Sequence, residues 1–208
     1  MEQIENAVRC ALDPSANQQI KKQAIDFCEE IKNSDNGWKE CLTLFVSNPR
    51  RSQESRLFSL QVLENKIQKS FLLEIDPDLL LIKQDLMNYV SNVYSTELYN
   101  SEPSFIINKL SHCISILFLA TFPNGWPSFF QDMLSLTAID YNSTLDPSKE
   151  TNPVAFLDSK FSAANLNLTD FFLRILLAID EEMVNPIVPR GKSEIDRNTF
   201  VHNGGTTF

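Results

Sequence analysis

The chain has 208 residues, of which 43% are apolar and 22% charged, a balance that excludes a disordered segment and allows a sizeable core. Its formal net charge of −9 produces a field that repels a phosphate backbone, so a dominant RNA-binding face is not expected here. Only 5 Gly stand against 10 Pro and 15 Phe, which favours helices joined by short turns over a sheet-rich fold.

The start, Met1-Glu2-Gln3-Ile4-Glu5, lacks the basic opening and apolar run of a signal peptide, so the chain is expected to begin in the cytosol. A helix over about 2–12 should end at Asp13-Pro14, where proline cannot extend the hydrogen-bond ladder. Ser15 and Gln18 have capping-box spacing, and Ile20, Ala24, Phe27 and Ile31 then form one apolar stripe of a helix over about 16–33. Asn36-Gly37 signals a turn, and Trp38, Cys41, Leu42 and Phe45 mark a helix that stops before Asn48-Pro49.

The next helix, about 52–71, carries Leu60, Leu63, Ile67 and Phe71 on one face with Phe58 and Val62 beside them. Asp76-Pro77 sets an N-cap acceptor before a proline at the first helical position, and Leu79, Ile82, Leu86, Tyr89 and Val93 continue the period to about 96. The helix over 103–121 is apolar on most sides and should be enclosed by more than one neighbour. Its most apolar stretch, Ile114 to Phe122, is well short of the roughly 20 residues needed to cross a bilayer, so no membrane insertion is expected. Asn124-Gly125 is a turn, and Trp126, Phe129, Phe130, Met133 and Leu136 give the following helix a core face to about Ala138. Residues 139–166 hold Pro147 and Pro153 among polar residues without a sustained period, and read as a long loop with one short helix near Phe156–Phe161. Leu168, Phe172, Ile175, Ile179 and Met183 mark a last strong helix over about 167–184.

These helices pair into about four hairpins with a period near 40 residues, the size class of HEAT repeats. The expected fold is all-α, a right-handed α-α superhelix whose second helices, about 16–33, 52–71, 103–121 and 167–184, line the concave side. By range, 1–138 are amino-terminal repeats, 139–166 an insertion, 167–190 a further repeat helix, and 191–208 an irregular, truncated tail.

Three segments carry more than periodicity. Phe58-Ser59-Leu60-Gln61-Val62-Leu63-Glu64 resembles the "FxxQVLE" segment of importin-β-like exportins. Phe105-Ile106-Ile107-Asn108-Lys109-Leu110 with Phe122-Pro123-Asn124-Gly125-Trp126-Pro127-Ser128-Phe129-Phe130 resembles their "FIxNKL…FPxxWPxFF" block. The stretch from Phe172 to Val184 is similar to the "LRILxAIDxE" helix that points to the exportin-T, or tRNA exportin, family. The resemblance covers about 16–138 and 166–199; beyond Arg197-Asn198-Thr199 the sequence departs from the family pattern.

The resemblance implies a nuclear transport receptor that binds the small GTPase Ran in its GTP state through the second helices of the first repeats. It also implies tRNA as cargo, gripped mainly by regions outside this chain, with nucleoporins as further candidate partners and shuttling between nucleus and cytoplasm. Polar residues on the second helices are then the candidate Ran contacts: Glu64, Asn65, Asn108, Lys109, Asp180 and Glu181. Read from the residues alone, each could equally be solvated or paired between helices. A general helical-repeat adaptor for other proteins, or a remnant of a truncated exportin, are the alternative readings.

No chemistry of its own is expected of the chain, and no cofactor. Cys10, Cys28, Cys41 and Cys113 form neither a CxxC pair nor a metal-ligand spacing and read as small core residues. His112 sits in an apolar helix without a ligand-like partner, and His202 is near the tail. Ser111 and Cys113 flank His112, but adjacent helical positions diverge too far to make a nucleophile and base. Asp180, Glu181 and Glu182 read as a solvated helix end.

Overall fold

The structure, a computed structural model, describes residues 1–70, 76–137, 166–183 and 191–203. Among them the regular elements are all helical: α1 Glu2–Leu12, α2 Gln18–Asn33, α3 Gly37–Val46, α4 Gln53–Lys69, α5 Pro77–Tyr89, α6 Ser104–Thr121, α7 Phe129–Thr137, α8 Leu166–Met183 and α9 Lys192–Asn203. Packing follows hairpins: α1 lies on α2 and α3 on α4, while α4, α6 and α8 lie side by side as successive second helices. The expected loop at 139–166 with its short helix, and Phe71, lie outside the described residues, apart from Leu166, which opens α8.

Helix starts follow local side-chain chemistry. Ser52 Oγ accepts from Ser55 N at 3.2 Å, and Asp76 Oδ1 accepts from Asp78 N at 2.9 Å with Pro77 in the first turn. For α2 the expected cap is corrected. Asn17 Oδ1 accepts from Gln19 N at 2.8 Å, whereas the N–H and hydroxyl of Ser15 both donate to Asp13 Oδ1, at 2.8 and 2.7 Å. The aspartate before Pro14 closes its own turn and engages Ser15 before the helix begins.

The expected helix to residue 96 is corrected as well, since α5 ends at Tyr89 and passes into a π turn, Val90–Tyr94. A π turn adds one residue, so Tyr94 takes the inward place that the period assigned to Val93. Tyr94 is fully buried, with Tyr99 and Phe171 edge-on to it at centroid distances of 4.9 and 4.8 Å.

The core is one cluster running through all hairpins, and α6 is its axis, with Ile106, Leu110, Cys113, Ile114, Leu117 and Leu119 fully enclosed. That enclosure is why a helix so apolar belongs to the interior. At its far end Phe118 stacks on Phe129 at 4.2 Å, and Trp126 meets Phe129 edge-on at 4.9 Å. Phe130, expected on the same core face, is 47% exposed. The first hairpin is the least buried: Ala24 is the buried residue of α2, while Ile20 and Ile25 are exposed.

Residues 192–203 are helical, which corrects that part of the irregular tail expected over 191–208, while 204–208 lie outside the described residues. Two tertiary contacts explain it. Arg197 Nη2 donates to Glu182 Oε2 at 3.3 Å, and Asn198 Nδ2 donates to the Glu182 carbonyl at 2.6 Å, so the end of α8 is capped by side chains from α9.

Candidate partner-binding surface

The second helices carry a polar ladder, and every sequence-derived candidate lies on or beside it. At the first step, Asn65 Nδ2 on α4 donates to the Lys32 carbonyl in the last turn of α2 at 2.9 Å. A carbonyl there has no intrahelical donor, so the asparagine is a cap supplied by the next hairpin. Lys69 Nζ adds a longer contact of 3.4 Å to Asn33 Oδ1.

The second step is ionic. Glu64 on α4 receives Lys109 from α6, and its Oε1 lies 3.0 Å from His112 Nδ1. Burial would raise the Glu64 carboxyl, yet the hydrogen bonds from His112 and Lys109 outweigh it and bring it down to about 2.

At the third step His112 Nε2 lies 3.0 Å from Glu182 Oε1 on α8, whose other oxygen accepts from Arg197. Hydrogen bonds to Glu182 and then Glu64, set against the burial that opposes them, hold the imidazole as a cation with a pKa raised to about 9. Alongside, Arg174 Nη1 on α8 donates to Asn108 Oδ1 at 2.7 Å, its Nε donates to Asp170 Oδ2 at 2.8 Å, and Asp170 accepts from Tyr99.

Thus Glu64 and Lys109 are bonded to each other, Asn65 faces the first hairpin, and Asn108 joins α8 while keeping an exposed position. Asp180 and Glu181 are exposed on the last turns of α8. Glu182 departs from the expected solvated end, and His112 from the expected lack of partners, because both point along the seam between α6, α8 and α9. Sequence reading missed His112, Glu182, Arg174 and Arg197. Only the spacing of Lys109 and His112, one helical turn apart, hinted that they share a face.

Next to the first step, a cleft of about 320 Å³ opens between α1, α2 and α4. Val8, Leu12, Ile25, Leu57 and Phe58 line it, and Phe105 of α6 reaches its edge. Among the described residues no group of three or more His, Cys, Asp or Glu side chains is arranged to hold a metal ion. The arrangement therefore offers surface and fixed charge, with both nitrogens of its one histidine already engaged by carboxylates.

A family model described as "Exportin 1-like protein" matches residues 103–204, across the 139–166 stretch and through α9. The chain is 34% identical over 197 residues, 94% of its length, to "Exportin-T" of Aspergillus oryzae and to "Exportin-T" of Aspergillus niger. It is 33% identical over 199 residues, 96% of its length, to "Exportin-T" of Phaeosphaeria nodorum. In each case the chain spans 17% of the relative's own length. Stacked helical hairpins, tied by polar rungs and matched by this model, define a helical-repeat protein of the exportin 1-like class. Within that class, the chain belongs to the exportin-T family.

Proposed function

We propose that this chain is the Ran-GTP-binding part of a nuclear export receptor for tRNA, acting by binding and not by catalysis. The observation that carries the reading is the match to exportin-T sequences over 94% of the chain. The side-by-side second helices support it, since continued stacking of such hairpins produces a right-handed superhelix with those helices on its inner wall. In this reading residues 1–138 and 167–190 are repeats, and 139–166 is an insertion between them.

Asn108, Asp180 and Glu181 are the exposed members of the proposed Ran contact set. Glu64, Asn65 and Lys109 hold the ladder in shape beside them and present their remaining hydrogen-bonding capacity to the partner. tRNA is gripped mainly outside this chain, and nucleoporin contacts accompany shuttling between nucleus and cytoplasm. Because GTPase and cargo bind one receptor, each strengthens the other by the same coupling free energy, typically about 1–3 kcal/mol.

The test is capture of Ran on the immobilised chain. Ran carrying a non-hydrolysable GTP analogue should bind and Ran carrying GDP should not. Equal retention of both forms, or of neither, would replace this reading with a general adaptor for other proteins.

A further inference from the structure

His112 stands between carboxylates from two different hairpins. Its Nδ1 is 3.0 Å from Glu64 Oε1 on α4, and its Nε2 is 3.0 Å from Glu182 Oε1 on α8. A neutral imidazole has one N–H and one lone pair, whereas imidazolium has two N–H donors. With an anion at hydrogen-bond distance from each nitrogen, only the doubly protonated ring satisfies both contacts. In the neutral ring a lone pair would face an oxyanion.

We propose that protonated His112 is a clasp fixing α4, α6 and α8 to one another, so that the second, third and fourth hairpins move as one block, and that deprotonation loosens this block. The charged surroundings are Glu64 from α4, Glu182 from α8, and Lys109 on α6 itself; Arg197 from α9 acts on Glu182. Lys109 and Arg197 keep their own carboxylates when the proton leaves, so the block slackens without coming apart.

The first hairpin lies outside the clasp. It is tied to the second by the Arg51–Glu5 ion pair at 3.2 Å, by Asn65 on the Lys32 carbonyl and by the 3.4 Å Lys69 contact, beside the apolar cleft.

The experiment uses the whole chain. It has 2 His, so imidazole carbon–proton NMR signals are assigned with a single His202→Gln variant. The His112 signal should titrate with a midpoint near 9, and in the Glu64→Gln, Glu182→Gln double variant it should fall back toward the ordinary value of 6.5. In parallel, hydrogen-exchange protection of α6 and α8 amides, corrected for the intrinsic pH effect, should drop about tenfold or more as pH rises from about 7 to about 10. His112→Gln should show the lower protection throughout, without the pH step. A wild-type midpoint near 6.5, or protection that stays level while the ring titrates, overturns the proposal, and both are read on the wild-type chain even if the variants fail to fold.

Discussion

Arg56 and Glu102, 46 residues apart, form a two-pronged ion pair in the interior, with Nη1 to Oε1 at 2.7 Å and Nη2 to Oε2 at 3.0 Å. Tyr89 accepts from Arg56 at 2.7 Å, Arg50 reaches Glu102 Oε2 at 2.9 Å, and the guanidinium lies 5.0 Å from the Phe45 ring centroid. The pair joins α4 to the segment entering α6, and so ties the second hairpin to the third on the side opposite in sequence to the Glu64–Lys109 rung. Removing one partner leaves an uncompensated buried charge. Glu102→Ala should therefore cost about 3–5 kcal/mol in urea unfolding, while the double change Arg56→Met with Glu102→Leu should recover most of it. An additive double variant would show that the pair is not coupled.

Gly37 is required by space alone. A β-carbon built on it would lie 2.0 Å from the Ile31 carbonyl oxygen and 2.6 Å from Ser34 Oγ, because the start of α3 crosses the end of α2 at close range. Gly37→Ala should cost about 1–3 kcal/mol through forced backbone movement. At about 2–4 °C per kcal/mol for a chain of this size, a thermal melt resolves that loss.

The two tryptophans should respond differently to loss of their N–H. Trp126 Nε1 donates to Asp132 Oδ2 at 2.7 Å, whereas Trp38 Nε1 is buried with no hydrogen-bond partner among the described residues. Both changes to Phe remove similar volume, so the difference isolates the bond to a charged acceptor. Trp126→Phe should exceed Trp38→Phe by about 1.5–3 kcal/mol in denaturant unfolding. Equal losses would contradict the assignment.

Acid should weaken the ladder through Glu64. Its carboxyl sits at about 2 in the folded chain against the ordinary 4.5, so the unfolded chain binds the proton first. The stabilisation is complete above about pH 4.5 and is lost as pH falls toward 2. Glu64→Gln should flatten this limb of a stability-versus-pH curve, and an unchanged slope would remove Glu64 as its source.

Charge reversal at the exposed end of α8 tests the partner surface separately from the scaffold. Asp180→Lys should shift stability by no more than about 0.5 kcal/mol. On the Ran reading it should weaken capture of the GTP form about tenfold, equivalent to 1.4 kcal/mol, with the loss shrinking at high salt. Lys109→Ala should behave otherwise and lower stability, because it strips Glu64 of its lysine.

Much of the fold was legible in the sequence because its signals are local. Asp76-Pro77 announced the start of α5, Asn36-Gly37 the turn before α3, and the wide apolar arc of 103–121 the central helix, each through groups within a turn of one another. Two of the misreadings are also local in scale, whereas the helix over 192–203 was missed because its contacts to Glu182 are tertiary. Asp13 captured Ser15 before it could cap α2, and an extra residue at Val90–Tyr94 turned Tyr94 inward in place of Val93.

Of the surface, the sequence picked out Glu64, Asn108 and Lys109 by polarity on a presumed second helix, and could say nothing of what each would face. His112 shows why. Its two carboxylates lie on other hairpins, one of them 70 residues away, and no periodicity within α6 encodes them. The sequence by itself determined helices α1 to α8 in outline, their pairing and the family, since caps, turns and apolar spacing act over a few residues. Tertiary structure alone decided which charges became rungs and which stayed exposed, because desolvation and Coulomb attraction are set by distance in space once the hairpins have stacked.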